Sequence, residues 1–139
     1  MAGVLIHTSA WIEAMRRGGD EMVRARVQAL VAEGRARFSD WVRLELWTGI
    51  GEAERRWLRQ MESLVETVPT DAAVWDLARR LAGAARARGG TFPASHLLVA
   101  ACARANGLDL YHRDAHFKKI VEIAGEMKAQ DSSSRGSRV

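Results

Sequence analysis

Four side chains in this sequence stand where chemistry is a better explanation than packing. Glu45 interrupts the apolar run Leu44-Glu45-Leu46-Trp47. A carboxylate there must be paired, bound to a metal or set at the rim of a cleft, because burying it alone is costly. His96 lies in the first turn of the apolar stretch Pro93-Ala94-Ser95-His96-Leu97-Leu98-Val99-Ala100-Ala101. A side chain at that position aims back towards the positive pole of its helix. His7 ends the run Val4-Leu5-Ile6 and leads into Thr8-Ser9, and Asp114 follows a second strand-like run, Leu108-Asp109-Leu110-Tyr111. Gathered in one place, two imidazoles and two carboxylates would suit a single transition-metal ion. The same four groups could instead pair with one another as hydrogen-bonded imidazole–carboxylate couples that need no ion.

Positioning these residues requires an alternation of strands and helices. Strands are expected at Val4–Ile6, Arg35–Phe38, Leu64–Val68 and Leu108–Tyr111, with a short fifth strand at Gly125–Ala129. Between them the periodicity and caps predict helices. A short one runs from Ser9 to Arg17, and one capped by Asp20 runs to about Ala32. The next, capped by Ser39 or Asp40, covers Trp41 to about Thr48 and is followed by Ala53–Met61. Ala72–Arg88 carries the clearest apolar stripe, Val74, Leu77, Ala78, Leu81 and Ala85. Ala94–Ala105 opens after Pro93 and stops at Asn106-Gly107, and a last helix runs from Asp114 to about Ala124. Such an order implies a parallel sheet of four or five strands covered by helices on both faces, a three-layer α/β/α domain. In open α/β sheets ligands bind outside the carboxyl ends of the strands, where His7 and Asp114 fall.

Composition bounds the rest. With 139 residues, 47% of them hydrophobic, the chain suits one globular domain, here residues 1–129, with a disordered tail at 130–139 rich in Ser, Gly and Arg. No apolar run reaches the roughly 18 residues of a membrane span, and no signal peptide is evident. The single cysteine, Cys102, lies in an apolar run and suits a reducing, cytoplasmic setting as a small core residue. Basic residues outnumber acidic ones 21 to 17, and Lys occurs only at positions 118, 119 and 128. Arg pairs with phosphate in a bidentate fork, although solvated helix faces and Arg-rich codon usage explain the same excess. Of the five tryptophans, Trp41, Trp47 and Trp75 sit in amphipathic helices and are expected in the core or at a dimer face. His112 and His116, flanking Asp114, are expected at the solvated surface.

The octapeptide Val4-Leu5-Ile6-His7-Thr8-Ser9-Ala10-Trp11 resembles the opening of PIN-domain nucleases, the family of the VapC toxins, in which an Asp usually precedes Thr-Ser. The likeness continues through Glu45-Leu46-Trp47-Thr48-Gly49, through His96-Leu97-Leu98-Val99-Ala100-Ala101 and through His112-Arg113-Asp114-Ala115-His116-Phe117, spanning roughly residues 3–125. The resemblance implies a metal-dependent endoribonuclease of a type II toxin–antitoxin pair that acts on structured RNA. It also implies a homodimer, a VapB-like antitoxin whose C-terminal segment fills the active-site groove, and Mg²⁺ or Mn²⁺ as cofactor. By this likeness Glu45, Asp114, His7 and His96 occupy the four metal-binding, catalytic positions, and Thr8 and Ser9 hold the site by hydrogen bonds. His7 and His96 stand at positions usually held by Asp. The change takes the maximal ligand charge from −4 to −2 and substitutes nitrogen for oxygen, which weakens Mg²⁺ and favours Mn²⁺, Zn²⁺, Co²⁺ or Ni²⁺. Three outcomes stay open: a transition-metal site, a decayed site without metal that leaves a module binding RNA or antitoxin, and a weakened Mg²⁺ or Mn²⁺ nuclease using Glu45, Asp114, Ser9 and Asp109.

Overall fold

Val4, Leu5 and Ile6 are all buried, as expected for a strand covered on both faces inside a parallel sheet. They form β1 (Val4–Ile6) of a computed structural model that describes residues 2–136, with side chains through residue 127. The elements follow in the order α1 (Thr8–Met15), α2 (Glu21–Ala32), β2 (Ala36–Ser39), α3 (Asp40–Gly49), α4 (Glu52–Leu64), β3 (Glu66–Val68), α5 (Ala72–Ala87), α6 (Ala94–Ala105), β4 (Asp109–Tyr111) and α7 (His116–Gly136). All strand pairs are parallel, in the order β3-β2-β1-β4. Each crossover carries two helices, and the whole is the expected α/β/α arrangement.

The order places a topological switch at β1. From β1 the chain steps outwards to β2 and β3, then returns to lay β4 on the other side, in the register Val4–Asp109, Leu5–Leu110, Ile6–Tyr111. The crevice between the carboxyl ends of β1 and β4 is where such a sheet opens for ligands.

Caps and turns follow local chemistry. Asp20 accepts the backbone N–H groups of Met22 and Val23, Ser39 accepts that of Val42, and Asp71 accepts that of Val74. Gly34 (φ +70°) and Gly107 (φ +66°) take the left-handed conformation that ends α2 and α6. Trp11 and Phe38 stack at 4.5 Å in the core, Trp57 meets Trp11 edge-on, and Cys102 is fully buried among α6 neighbours. Burial pushes the Cys102 thiol up, so it stays protonated and packs as a small apolar group.

Two expected elements differ. The strand expected at Leu64–Val68 begins only at Glu66, because α4 continues through Leu64. No strand forms at Gly125–Ala129, where α7 runs on to Gly136. Gly125 is followed by Glu126, Met127, Lys128, Ala129 and Gln130, all good helix formers. Residues 137–139, the end of the expected tail, lie outside the described residues. Among the described residues no helix is long and apolar enough to cross a membrane.

Candidate functional site at the switch point

Three helix N-termini reach the carboxyl edge beside β1 and β4. His7 is the N-cap of α1, His96 lies in the first turn of α6, and Asp114 precedes α7. The backbone ties the edge together, since the His7 N–H donates to the Tyr111 carbonyl at 2.9 Å. A side-chain chain adds to it. The Arg113 N–H donates to Ser9 Oγ at 2.8 Å, and the Ser9 hydroxyl reaches His7 Nδ1 at 2.8 Å. His7 Nδ1 also accepts the Ser9 N–H at 3.2 Å. With two donors on Nδ1, the neutral ring carries its proton on Nε2.

His7 is 5% exposed. Burial is the largest influence on its imidazole, and the neighbouring His96 and His112 add to it against the pull of Asp114, so its pKa falls to about 4. His7 is therefore neutral near pH 7. Burial also lowers the His112 imidazole.

Asp114 is the hub of the edge. His96 Nε2 donates to Asp114 Oδ2 at 2.7 Å, while the His116 ring, through Nδ1 at 2.8 Å, and the His116 backbone N–H, at 3.0 Å, meet Oδ1. Burial works to raise this carboxyl, but the hydrogen bonds from His96 and His116 outweigh it and hold the group well below the usual carboxylate range. Phe117, fully buried, lies among the imidazoles: edge-on to His7 at 4.5 Å, stacked on His96 at 4.8 Å, and 5.1 Å from His112.

Glu45 lies on α3 and joins this edge through α1. Its Oε1 accepts the Thr8 hydroxyl at 2.8 Å, so its described partner is the residue after His7 and not His7 itself. Asp109 opens β4 opposite Val4, at the amino end of the sheet, and so cannot join the carboxyl edge as a further acid. His116 was expected at the solvated surface. It is exposed, yet it bonds Asp114, and the only signal in the sequence is its place two residues after that acid. Among the described residues, the group of ligand atoms close enough for one metal is His96, Asp114 and His116, all within 4.8 Å of one another. His7 and Glu45 are not part of it.

A doubly covered parallel sheet with its polar cluster at the β1–β4 switch defines an α/β/α domain whose polar groups gather at its carboxyl edge. The chain belongs to the PIN-domain family, whose profile matches residues 4–123. It is 32% identical over 127 residues to ribonuclease VapC11 of Mycobacterium tuberculosis, across 86% of this chain and 92% of the relative. Among solved structures it resembles VapBC2 from Rickettsia felis bound to promoter DNA (TM-score 0.67, 17% identity, 84% of this chain and 91% of that one). It also resembles M. tuberculosis VapC20, a toxin that cleaves the sarcin-ricin loop (TM-score 0.59, 19% identity, 84% and 94%). Ribonucleases of this family depend in general on divalent metals.

The donors at this edge do not fit Mg²⁺. That ion takes hard oxygen ligands in near-octahedral geometry. Here one carboxylate is flanked by two imidazole nitrogens, and the second, Glu45, is engaged with Thr8.

Proposed function

We propose that this chain is a VapC-like toxin, an endoribonuclease that cleaves structured RNA in the cytoplasm and is held in check by a VapB-like antitoxin. The observation that supports the reading is His7, His96 and Asp114 at the carboxyl edge of the sheet, with Glu45 bonded to Thr8 beside them and Glu45 and Asp114 still acidic. Asp114 is ionised across the physiological range, His96 and His116 orient it, and the Ser9 bridge fixes the end of β1 against Arg113. Neutral His7 adds no positive charge beside an incoming phosphodiester but withdraws the negative charge an Asp would supply.

The test is cleavage of structured RNA by the untagged protein with Mg²⁺ or Mn²⁺, next to Glu45→Gln and to His7→Asp combined with His96→Asp. Glu45→Gln is expected to lower cleavage about 10–100-fold, the scale of losing an orienting group at such a site. The double change, which restores four carboxylates, is expected to raise Mg²⁺-dependent cleavage at least tenfold. A parent without cleavage, and a double variant that gains none, would overturn the reading. A silent parent with an active double variant would favour a second one, a binding module for RNA or antitoxin. That second reading has its own support, because both Asp114 oxygens already accept hydrogen bonds from histidines.

The homodimer implied by the family likeness has an apolar face available to it. Trp41 (37% exposed) and Trp75 (48% exposed) border a groove between α3, α5 and α6 whose lining includes Leu97 and Leu98. Trp75→Glu is expected to convert a dimer to monomer in light scattering. An unchanged mass would remove this face as the dimer contact.

A further inference from the structure

We infer that His96, Asp114 and His116 form a binding site for one borderline transition-metal ion of the Zn²⁺ or Co²⁺ kind, and that His7 and Glu45 are not among its ligands. The site shares its edge with the proposed cleavage reaction, but the inference stands on the donors themselves and is tested without RNA.

Three observations carry it. First, the three ligand atoms already lie within 4.8 Å of one another, with two imidazole nitrogens converging on a single carboxylate. Zn²⁺ bonds to His nitrogen and carboxylate oxygen are about 2.0–2.2 Å, so tetrahedral ligands stand roughly 3.4 Å apart. Opening the present 2.7 and 2.8 Å hydrogen bonds to that spacing asks for side-chain adjustment only, and His116, at the exposed start of α7, has room to move.

Second, the ring nitrogen of His96 that does not face Asp114 has a partner of its own. The Ser95 hydroxyl lies 3.4 Å from His96 Nδ1, and the ring stacks on Phe117 at 4.8 Å and 24°. An outer hydrogen bond and a packed face together hold Nε2 towards the ligand centre, as the outer partners of metal-binding histidines do.

Third, the donor set selects its ion. Two nitrogens and one carboxylate form the combination found at catalytic zinc sites, where three protein ligands leave a further position for water or a substrate oxygen. The same set is poor for Mg²⁺, which loses oxygen donors and charge here. His7 uses Nδ1 for its bonds to the Ser9 hydroxyl and N–H and lies outside the group of ligand atoms within 4.8 Å of one another, and Glu45 is directed to Thr8.

The experiment is titration of the untagged full chain with Co²⁺, read by its visible absorption, with bound metal counted by elemental analysis. One Co²⁺ per chain is expected, with the intense bands of a low-coordinate site. Stoichiometric Zn²⁺ should displace it, and a thousandfold excess of Mg²⁺ should not. His96→Gln and His116→Gln are each expected to weaken Co²⁺ binding at least tenfold, and Glu45→Gln to leave it unchanged. Circular dichroism confirms that each variant is folded, and exposed His116 supplies a variant that folding does not depend on. The assignment is overturned if the parent binds no stoichiometric Co²⁺. It is equally overturned if His116→Gln binds like the parent, if Glu45→Gln loses the ion as His96→Gln does, or if Mg²⁺ competes on equal terms. Binding without RNA cleavage would sink the proposed function and leave the metal site standing; cleavage without binding would do the reverse.

Discussion

Replacing Phe117 by alanine is expected to destabilise the fold by about 3–5 kcal/mol, the range for truncating a buried aromatic ring. Phe117 is fully buried, and its ring packs against the rings of His7, His96 and His112. Its loss removes both core volume and the wall that keeps water from His7. A second readout separates this role from ordinary packing. In Phe117→Ala the His7 imidazole should titrate closer to 6.5 than to its value of about 4 in the parent, since burial is the main cause of the depression. Phe117→Leu, which keeps most of the volume, should cost less and shift His7 less. Chemical denaturation gives the first quantity and NMR titration of the imidazole protons the second. A Phe117→Ala protein as stable as the parent, with His7 unmoved, would show that the ring supports neither the core nor the site.

The protein is also expected to lose stability between pH 7 and pH 5, with His7 the main cause. The sign follows from which state holds more protons. His7 titrates near 6.5 when unfolded and near 4 when folded. Between those values the unfolded chain binds the extra proton, so stability is complete above pH 6.5 and falls as the pH is lowered towards 4. The full interval corresponds to about 3 kcal/mol, at 1.36 kcal/mol per pH unit, and about 2 kcal/mol of it is lost between pH 7 and pH 5. His112, also lowered by burial, adds in the same direction. Asp114 acts elsewhere: its folded carboxyl lies below the ordinary carboxylate range, so its contribution is intact above about pH 4 and disappears only in stronger acid. Unfolding in urea at pH 7 and pH 5 should show the loss in the parent and most of it abolished in His7→Asn. Identical slopes in the two proteins would remove His7 as the cause.

Much of the fold was legible because its signals were local. Val4–Ile6 followed by His7-Thr8-Ser9 reads as a buried strand passing into a helix, and α6 runs from Ala94 to Ala105 as its flanking Pro93 and Asn106-Gly107 indicate. The misplacements arise where local and long-range forces compete. The alternation of Leu64 to Val68 suggested a strand, yet α4 keeps Leu64 with its side chain largely exposed, and pairing with β2 begins only at Glu66. A strand was expected at Gly125–Ala129, but strong helix formers after Gly125 carry α7 past it. The candidate site divides along the same line. Residue types and their places in the runs named His7, Glu45, His96 and Asp114, and the likeness to the PIN family added Ser9. Which side chain bonds which depends on geometry between elements. That geometry joins Asp114 to His116, a neighbour in sequence that looked like ordinary surface, and sets Thr8 against Glu45.

The hydrogen bond from the Arg113 N–H to Ser9 Oγ joins residues 104 positions apart. Closing a loop of that size carries an entropic cost that must be met before the contact gives anything back. The edge strand β4 and the start of α7 are also nearly the last parts of the domain to be synthesised. During translation, a chain that has already made His7, Glu45 and His96 still lacks Asp114, and β1 lies uncovered along the flank that β4 will take. The polar edge therefore cannot be assembled before β4 and the segment that follows it have been made. The proposed RNA cleavage accordingly depends on the last strand of the sheet being in place.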